Sequence, residues 1–290
     1  MESPLEQYNR RVVVWGRTAW YGALVPPRKP TPLCTINRPE RTRAAVAWGR
    51  RGEAVAGAGL KNLLQTPGEW AARNQALARS MRRLIAAHAP VASRNGIDIG
   101  CQDGRLVDGL SALTGLSWCG VDPAIASGKP SPDGFPMLHG WAHELPFGDG
   151  AFDCAVLANV YEHIAPELRL ASLTEIRRVL RPGGLLVGQL PNPYFPIESH
   201  SRLPFMGWLP AAWQRPYWRL APVEWEHDFY VVTIADLKRR ARRAGFAPVE
   251  IRRYHYPSSV IPARLRPSYR RFSGLINAIP WAWQFAFRRA

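Results

Sequence analysis

The chain predicts an α/β fold, a doubly wound and mostly parallel sheet with helices on both faces. Three observations carry that expectation. From residue 69 to residue 256, short apolar segments of strand length alternate with segments of helical period. One of the strand segments, Ile97-Asp98-Ile99, turns through glycine directly into a helix. The composition, 290 residues with 47% hydrophobic and 21% charged, is that of a folded chain long enough for a sizeable core. Strands separated by helices run parallel, and their crossovers place helices over both faces of the sheet.

In chain order, Trp70, Leu77, Met81, Leu84 and Ile85 recur at helical spacing, which predicts a helix over 69–88, ended by Pro90. Ile97–Ile99 is a short strand, and Arg105–Leu113 the helix after it. Trp118–Val121 is a second strand ending at Asp122-Pro123, and Phe152–Leu157 a third, preceded by the turn Phe147-Gly148-Asp149-Gly150. Pro166–Leu180 is a helix with Leu168, Leu173, Ile176, Val179 and Leu180 inward. Arg181-Pro182-Gly183-Gly184 stops it, and Leu185–Leu190 is the next strand. Thr233–Ala244 is a helix closed by Gly245, followed by a strand at Val249–Arg253. Phe272, Leu275, Ile276 and Ile279 mark one further helical face before Pro280. Trp281, Trp283, Phe285 and Phe287 then alternate with smaller or polar residues, a period of two that favours a last strand over 281–288. An aromatic membrane-surface segment flanked by arginines is the competing reading there.

Three stretches break the rhythm. Residues 1–60 are rich in Pro, Arg and Ala, bury little, and read as a loose, disordered basic extension, with Arg11–Trp15 as a short strand within it and a misplaced start site as an alternative. Residues 61–290 then form the folded domain. Within it, 191–230 carries many prolines and no clear period, as a lid or substrate segment would. Residues 257–280 are a basic insertion before the last strand.

The net charge of +16 is unevenly placed: 10 positive against 4 negative charges in residues 1–60, 13 against 2 in 236–290, and near balance between. A nucleic-acid partner, which needs a continuous basic face, is therefore not expected. The arginine-rich ends predict at most peripheral contact with an anionic membrane surface. Four cysteines without a C-x-x-C pair argue against a zinc or redox motif, so no metal site is expected. With no signal pattern and no apolar stretch of spanning length, a cytoplasmic location follows, with the inner membrane face as its boundary.

The chemistry concentrates at Asp98-Ile99-Gly100-Cys101-Gln102-Asp103-Gly104 and, about 20 residues on, at Asp122. A strand that turns through glycine into a helix brings backbone N–H groups close to a ligand, and a carboxylate after the second strand suits a ribose diol. Taken singly, these glycines and Asp122-Pro123 read equally well as turn residues. The spacing is not the dinucleotide G-x-G-x-x-G, and Asp98 would repel a pyrophosphate. An adenosine joined to a cationic amino acid, S-adenosylmethionine, satisfies both facts.

Five ordered motifs agree: Asp98-x-Gly100-x-x-x-Gly104, Gly120-Val121-Asp122-Pro123, Glu144-Leu145-Pro146-Phe147 leading to Phe152-Asp153, Tyr161-Glu162-His163-Ile164, and Val179-Leu180-Arg181-Pro182-Gly183-Gly184. With these, residues 69–256 resemble class I S-adenosylmethionine-dependent methyltransferases, most closely those acting on small molecules and glycans. The resemblance implies a Rossmann-like sheet of seven strands. It implies that Gly100, Cys101, Gln102 and Gly104 shape the loop around the methionine part near Asp98, and that Asp122 holds the ribose beside Pro123. Trp141-Ala142 would lie along the adenine, with Asn159 ending the fourth strand beside the cofactor. Two departures stand out: Gln102 replaces the family's middle glycine and should crowd the loop, and Trp141 replaces a frequent Asp. A fold that has lost catalysis and serves as a binding module is one consequence of them.

Pro191-Asn192-Pro193-Tyr194 imitates the Asn-Pro-Pro-Tyr motif of nucleic-acid amino-methyltransferases, but it follows the wrong strand. The stretch from Pro196 to Pro210 is similar to a loop in methyltransferases of surface polysaccharide or glycolipid assembly. A hydroxyl acceptor on a glycan, glycolipid or related small molecule is thus expected, with a lipophilic quinone precursor or secondary metabolite as the alternative. Methylating a hydroxyl requires a base, and His200 is the first candidate, then His163, with Glu198 as partner or substitute. Glu162 and His163 serve equally well as caps of the fourth strand.

Overall fold

In the computed structural model the described residues are 67–125, 129–201, 203–221, 229–255, 257–258 and 266–290. The expected basic extension over 1–60, with its strand at Arg11–Trp15, lies outside them. Among the described residues, seven strands form one sheet: β1 (Asn95–Ile99), β2 (Ser117–Asp122), β3 (Met137–His139), β4 (Phe152–Ala158), β5 (Leu180–Pro191), β6 (Phe246–Tyr254) and β7 (Ala282–Arg289), in the spatial order 3-2-1-4-5-7-6. Strands β1 to β5 pair in parallel, and β7 inserts antiparallel between β5 and β6. The order reverses between β1 and β4, and at such a switch point the crossovers leave on opposite faces and open a crevice at the carboxyl ends.

Two apolar layers hold the helices to the sheet. On one face Ile97, Ile99, Val121, Leu157, Phe285 and Phe287 pack against Leu173 and Ile176 of α3 (Arg169–Val179) and Leu237 of α5 (Ile234–Arg243). On the other, Trp118, Val156, Leu185, Val187 and Ala286 pack against Met81, Leu84 and Ile85 of α1 (Pro67–His88) and Leu110 of α2 (Arg105–Thr114). The α5 helix starts where Thr233 accepts the N–H of Asp236 at 3.2 Å, and Gly245 at φ 85° follows its end.

The structure departs from the sequence expectation at several elements. β3 is only three residues long, too short for periodicity to reveal. Pro166–Leu168 form a turn, so α3 begins at Arg169. Arg181-Pro182-Gly183-Gly184 does not separate helix from strand as a loop; it lies within β5 as an irregularity, with Gly183 at φ 74° and a register shift opposite Phe152 and Cys154. The segment 191–230 is less irregular than its prolines suggest, holding a 3₁₀ turn at Met206–Trp208 and α4 (Ala211–Trp218) around Leu203, Met206, Trp218 and Phe229. Residues 266–276 form two short helices, α6 (Arg266–Arg271) and α7 (Ser273–Ile276), rather than one continuous face. The alternation over 281–288 is a strand, with Phe285 and Phe287 buried on one face of the sheet and Ala286 on the other.

Polar groups buried in the sheet are tied to one another. Asp153 accepts the N–H groups of Arg94 (2.8 Å) and Asn95 (3.0 Å) and pairs with Arg181 at 2.7 Å, joining the entries of β1, β4 and β5. Asp153→Ala would leave the buried Asn95 N–H without its acceptor, which costs about 1–3 kcal/mol. Urea denaturation is expected to show that loss. Gln189 and Gln284 face each other in register and are fully buried. Gln284 Nε2 donates to Gln189 Oε1 (2.9 Å), Gln189 Nε2 donates to Asn159 Oδ1 (3.1 Å), and the Arg252 guanidinium donates to Gln284 Oε1 (2.7 Å).

Candidate active site

The loop after β1 is shaped by positions where only certain residues fit. Gly100 and Gly104 both adopt φ 80°, and a Cβ on Gly100 would collide with Val160, while one on Gly104 would lie 2.6 Å from Ser131 and Met137. Gly100 and Cys101 donate their N–H groups to Val121 O at 2.7 and 3.2 Å, so the loop hangs from the end of β2. Gln102 takes the left-handed conformation itself, at φ 49°, with its side chain exposed. The expected crowding is therefore absent: the residue strains its own backbone instead of filling the loop, at a cost of about 1–2 kcal/mol.

Two acids stand behind this loop. Asp122 is buried; its Oδ1 accepts Ala124 N–H (2.8 Å) and its Oδ2 accepts Gln102 N–H (3.0 Å). A carboxylate offers about four acceptor positions, so two remain for hydroxyl donors. Asp98 is 2% exposed and its Oδ2 has no hydrogen-bond partner among the described residues. Burial first, then the neighbouring Asp122 charge, pushes its pKa up to about 8. A cationic amino acid bound here would give Asp98 the partner it lacks, and the glycine cradle is bare of side chains; the residues present fit S-adenosylmethionine.

A pH signature follows. Below about pH 8 the ligand-free protein keeps Asp98 protonated, so binding of a cationic ligand expels a proton, and affinity for S-adenosylhomocysteine rises with pH up to about 8. Because the folded pKa lies above the ordinary 3.8, the contribution of Asp98 to stability falls as pH rises from about 4 to about 8. Calorimetry in buffers of different ionisation heat is expected to detect proton release in the wild type and none in Asp98→Asn.

Pro123, Trp141, Ala142, Val160, His163 and Ile164 join Gly100 in lining one cleft. Two residues expected at the cofactor turn elsewhere. The Cys101 thiol is buried behind the loop against Gly120, 3.9 Å from Met137 Sδ, because the sheet-facing side of that turn is apolar. Asn159 follows β4 at φ 58°, but its side chain is held by Gln189, and the wall beside Gly100 is its neighbour Val160.

The candidate bases come together. Tyr161–His163 form a 3₁₀ turn directly after β4, and the turn at Glu198–Ser201 lies beyond the end of β5, so both sit at the carboxyl edge. His200 Nδ1 and Glu198 Oε1 are 2.7 Å apart; Glu198 Oε2 also accepts the N–H groups of His200 (2.8 Å) and Ser201 (2.6 Å) and the Ser201 hydroxyl (2.9 Å). Burial pushes the Glu198 acid up, but the hydrogen bonds and charge of His200 and the bonds from Ser201 outweigh it and hold the pKa at about 2. The His200 ring stacks on Phe229 at 4.7 Å and meets the His163 ring edge-on at 5.0 Å. Its Nε2 faces Glu162 Oε1 at 3.9 Å.

Glu162 is the residue that sequence reading passed over as a cap. It is 3% exposed, burial raises its pKa against the pull of His163 and His200, and among the described residues no other residue gives either carboxylate oxygen a hydrogen bond. His163 lines the cleft beside Gly100, whereas Glu162, Glu198 and His200 line a second hollow with Pro193, Phe229 and Tyr230. The cluster thus lies where the two meet.

Comparison with known proteins agrees with this construction. Residues 70–251 match the family model described as a methyltransferase domain. An uncharacterized methyltransferase of Mycolicibacterium gilvum is 31% identical over 170 residues, 55% of this chain and 65% of that protein. A demethylmenaquinone methyltransferase of Staphylococcus aureus is 30% identical over 176 residues, 54% of this chain and 70% of that protein. The chain spans just under two thirds of the length of the first of these relatives. A solved structure from Pyrococcus horikoshii superposes with a TM-score of 0.53 at 15% identity, covering 79% of this chain and 96% of that one. With the strand order, the glycine cradle with its two acids, and the matched family model in agreement, the chain belongs to the S-adenosylmethionine-dependent methyltransferases.

Proposed function

We propose that this methyltransferase O-methylates a hydroxyl of a glycan, glycolipid or related small molecule. The observation that carries the reading is the Glu162–His163–His200–Glu198 cluster, set between the cofactor cleft and the lid segment. S-adenosylmethionine, when bound, supplies a methyl group on a sulfonium, so the protein's task is to position an oxygen and remove its proton. Asp98 would hold the methionine part, Asp122 the ribose, and Trp141 with Ala142 the adenine. His200 Nε2 is the base, because Glu198 engages Nδ1 and leaves the other nitrogen to take the proton. His163, on the cofactor side, would receive the same proton if the acceptor entered from there.

The lid supplies a surface for the acceptor's bulk. Tyr194, Phe205, Trp208 and Trp213 are exposed there, and flat aromatic faces suit sugar rings and acyl chains alike. Arg215 and Arg219 flank the exposed Trp213 and Leu220 on and after α4, which supports contact with an anionic lipid surface at the inner membrane face. Among the described residues no helix is long and apolar enough to cross a membrane. Sedimentation with vesicles is expected to carry the protein down with anionic but not zwitterionic lipid, and Trp213→Ala is expected to weaken that binding several-fold.

The quinone alternative has one specific support, the 30% identity to the demethylmenaquinone methyltransferase. Incubation with methyl-labelled cofactor, separately with lipid-linked glycans and with hydroxylated quinone precursors, tests both. A labelled methyl ether on the glycan supports the first reading, transfer only to the quinone ring replaces it with the second, and failure to bind S-adenosylhomocysteine at all returns the chain to a binding role.

A further inference from the structure

Buried carboxylates are ordinarily hydrogen-bonded, because leaving one without partners costs several kcal/mol. Among the described residues no other residue gives either Glu162 oxygen a hydrogen bond, its own backbone N–H being the one donor that lowers its pKa, and two imidazoles converge on it. One ligand atom each from Glu162, His163 and His200 lie within 4.8 Å of one another, and His200 Nε2 is 3.9 Å from Glu162 Oε1. Ligands held about 2.0–2.2 Å from one ion lie roughly 3–4 Å apart, so a small closure of the 3₁₀ turn on the Glu198–Ser201 turn would complete the set. The imidazole is prepared as well. A carboxylate on Nδ1 of a ligating histidine fixes the ring and leaves Nε2 for the metal, and Glu198 is bonded there at 2.7 Å while Phe229 holds the ring flat.

We propose that Glu162, His163 and His200 bind one first-row divalent cation, and that this ion holds the oxygen that becomes methylated. Two imidazoles and one carboxylate suit Mn²⁺, Fe²⁺ or Zn²⁺ and leave coordination positions open. The site lies between the cofactor cleft and the hollow under the lid, so the open positions face the acceptor. The substrate class is then an acceptor whose reacting hydroxyl has a second oxygen on the adjacent carbon, such as a vicinal diol of a sugar or an ortho-oxygenated ring, since both oxygens can bind one ion. The bound hydroxyl loses its proton to water, its lone pair forms the new C–O bond, and the broken C–S pair returns to sulfur. With the ion in place, His200 is a ligand and the ion does what Nε2 does without it.

This inference rests on the reading of the cluster as the place where the acceptor oxygen is activated. The test separates the two. Full-length protein, stripped with chelator, would be titrated with Mn²⁺ by calorimetry and by loss of the free-ion paramagnetic signal, with Zn²⁺ as a second probe. One equivalent is expected to bind, at least about 10–100-fold more weakly in Glu162→Gln and His200→Ala, since loss of even an outer-shell partner costs that much, and unchanged in Asp122→Ala, which removes no ligand of the ion. Saturating Mn²⁺ is expected to raise the melting temperature of the wild type and not of Glu162→Gln; His163→Ala serves the same comparison if Glu162→Gln does not fold. Binding of neither ion by folded wild type, or equal binding by the variants, overturns the proposal. If S-adenosylhomocysteine binding and chelator-insensitive methyl transfer to a hydroxyl then persist, the O-methylation reading stands without the metal.

Discussion

Asp122→Ala is expected to weaken S-adenosylhomocysteine binding by about 100-fold or more, the loss of two charge-assisted hydrogen bonds at about 1.5–3 kcal/mol each. The residue has two jobs at once. Its carboxylate accepts Gln102 N–H and Ala124 N–H, which holds the loop after β1 against the loop after β2. Its remaining acceptor positions are those a ribose diol would use. Asp122→Asn keeps an acceptor for one of the two N–H groups, so it separates the roles: it should fold like the wild type and still bind at least tenfold more weakly. The variant also removes the charge that helps to raise Asp98, so the proton release accompanying ligand binding should shrink. Calorimetry with wild type, Asp122→Ala and Asp122→Asn reads all three effects. Retained micromolar binding by Asp122→Ala would place the ribose elsewhere.

His200→Ala is expected to lower kcat by about 10²–10⁴-fold, the usual contribution of a positioned proton acceptor, with cofactor affinity unchanged because the ring lies beyond the cofactor cleft. Glu198 is a positioning residue, since it touches His200 and Ser201 rather than the cleft wall facing Gly100. Glu198→Gln is expected to lower kcat about tenfold or more while leaving KM for the cofactor in place. A structural role for Glu198 would instead move stability and both KM values together, since its Oε2 organises the Glu198–Ser201 turn. Single-turnover kinetics on the two variants distinguishes these outcomes.

What was legible in the sequence follows from local chemistry. Alternating apolar segments reveal the parallel strands because burial on both faces forces continuous hydrophobic runs such as Val156 and Leu157. Gly100 and Gly104 stand out because a tight turn at φ 80° restricts the residue type, and Asp122 because it is an acid at the end of the second strand. The order of five short motifs then specifies the family, which no single one of them does.

The rest depended on contacts between distant residues. β3 is three residues paired only through β2, and no window of sequence contains its partner. Gln102 reads as an obstruction until its backbone dihedral turns the side chain outward. Cys101 and Asn159 belong to the right loops, yet the apolar underside of one loop and Gln189 on β5 take their side chains away from the cleft. Glu162 looks like a strand cap from its neighbours alone. Only the crossing of the turns after β4 and β5 brings His200, 38 positions later, to its buried carboxylate. Sequence determined the strand pattern, the family and the cofactor loop, because each is set by residues close along the chain. Tertiary structure decided which polar side chains share a site, because that depends on which strand ends the sheet places side by side.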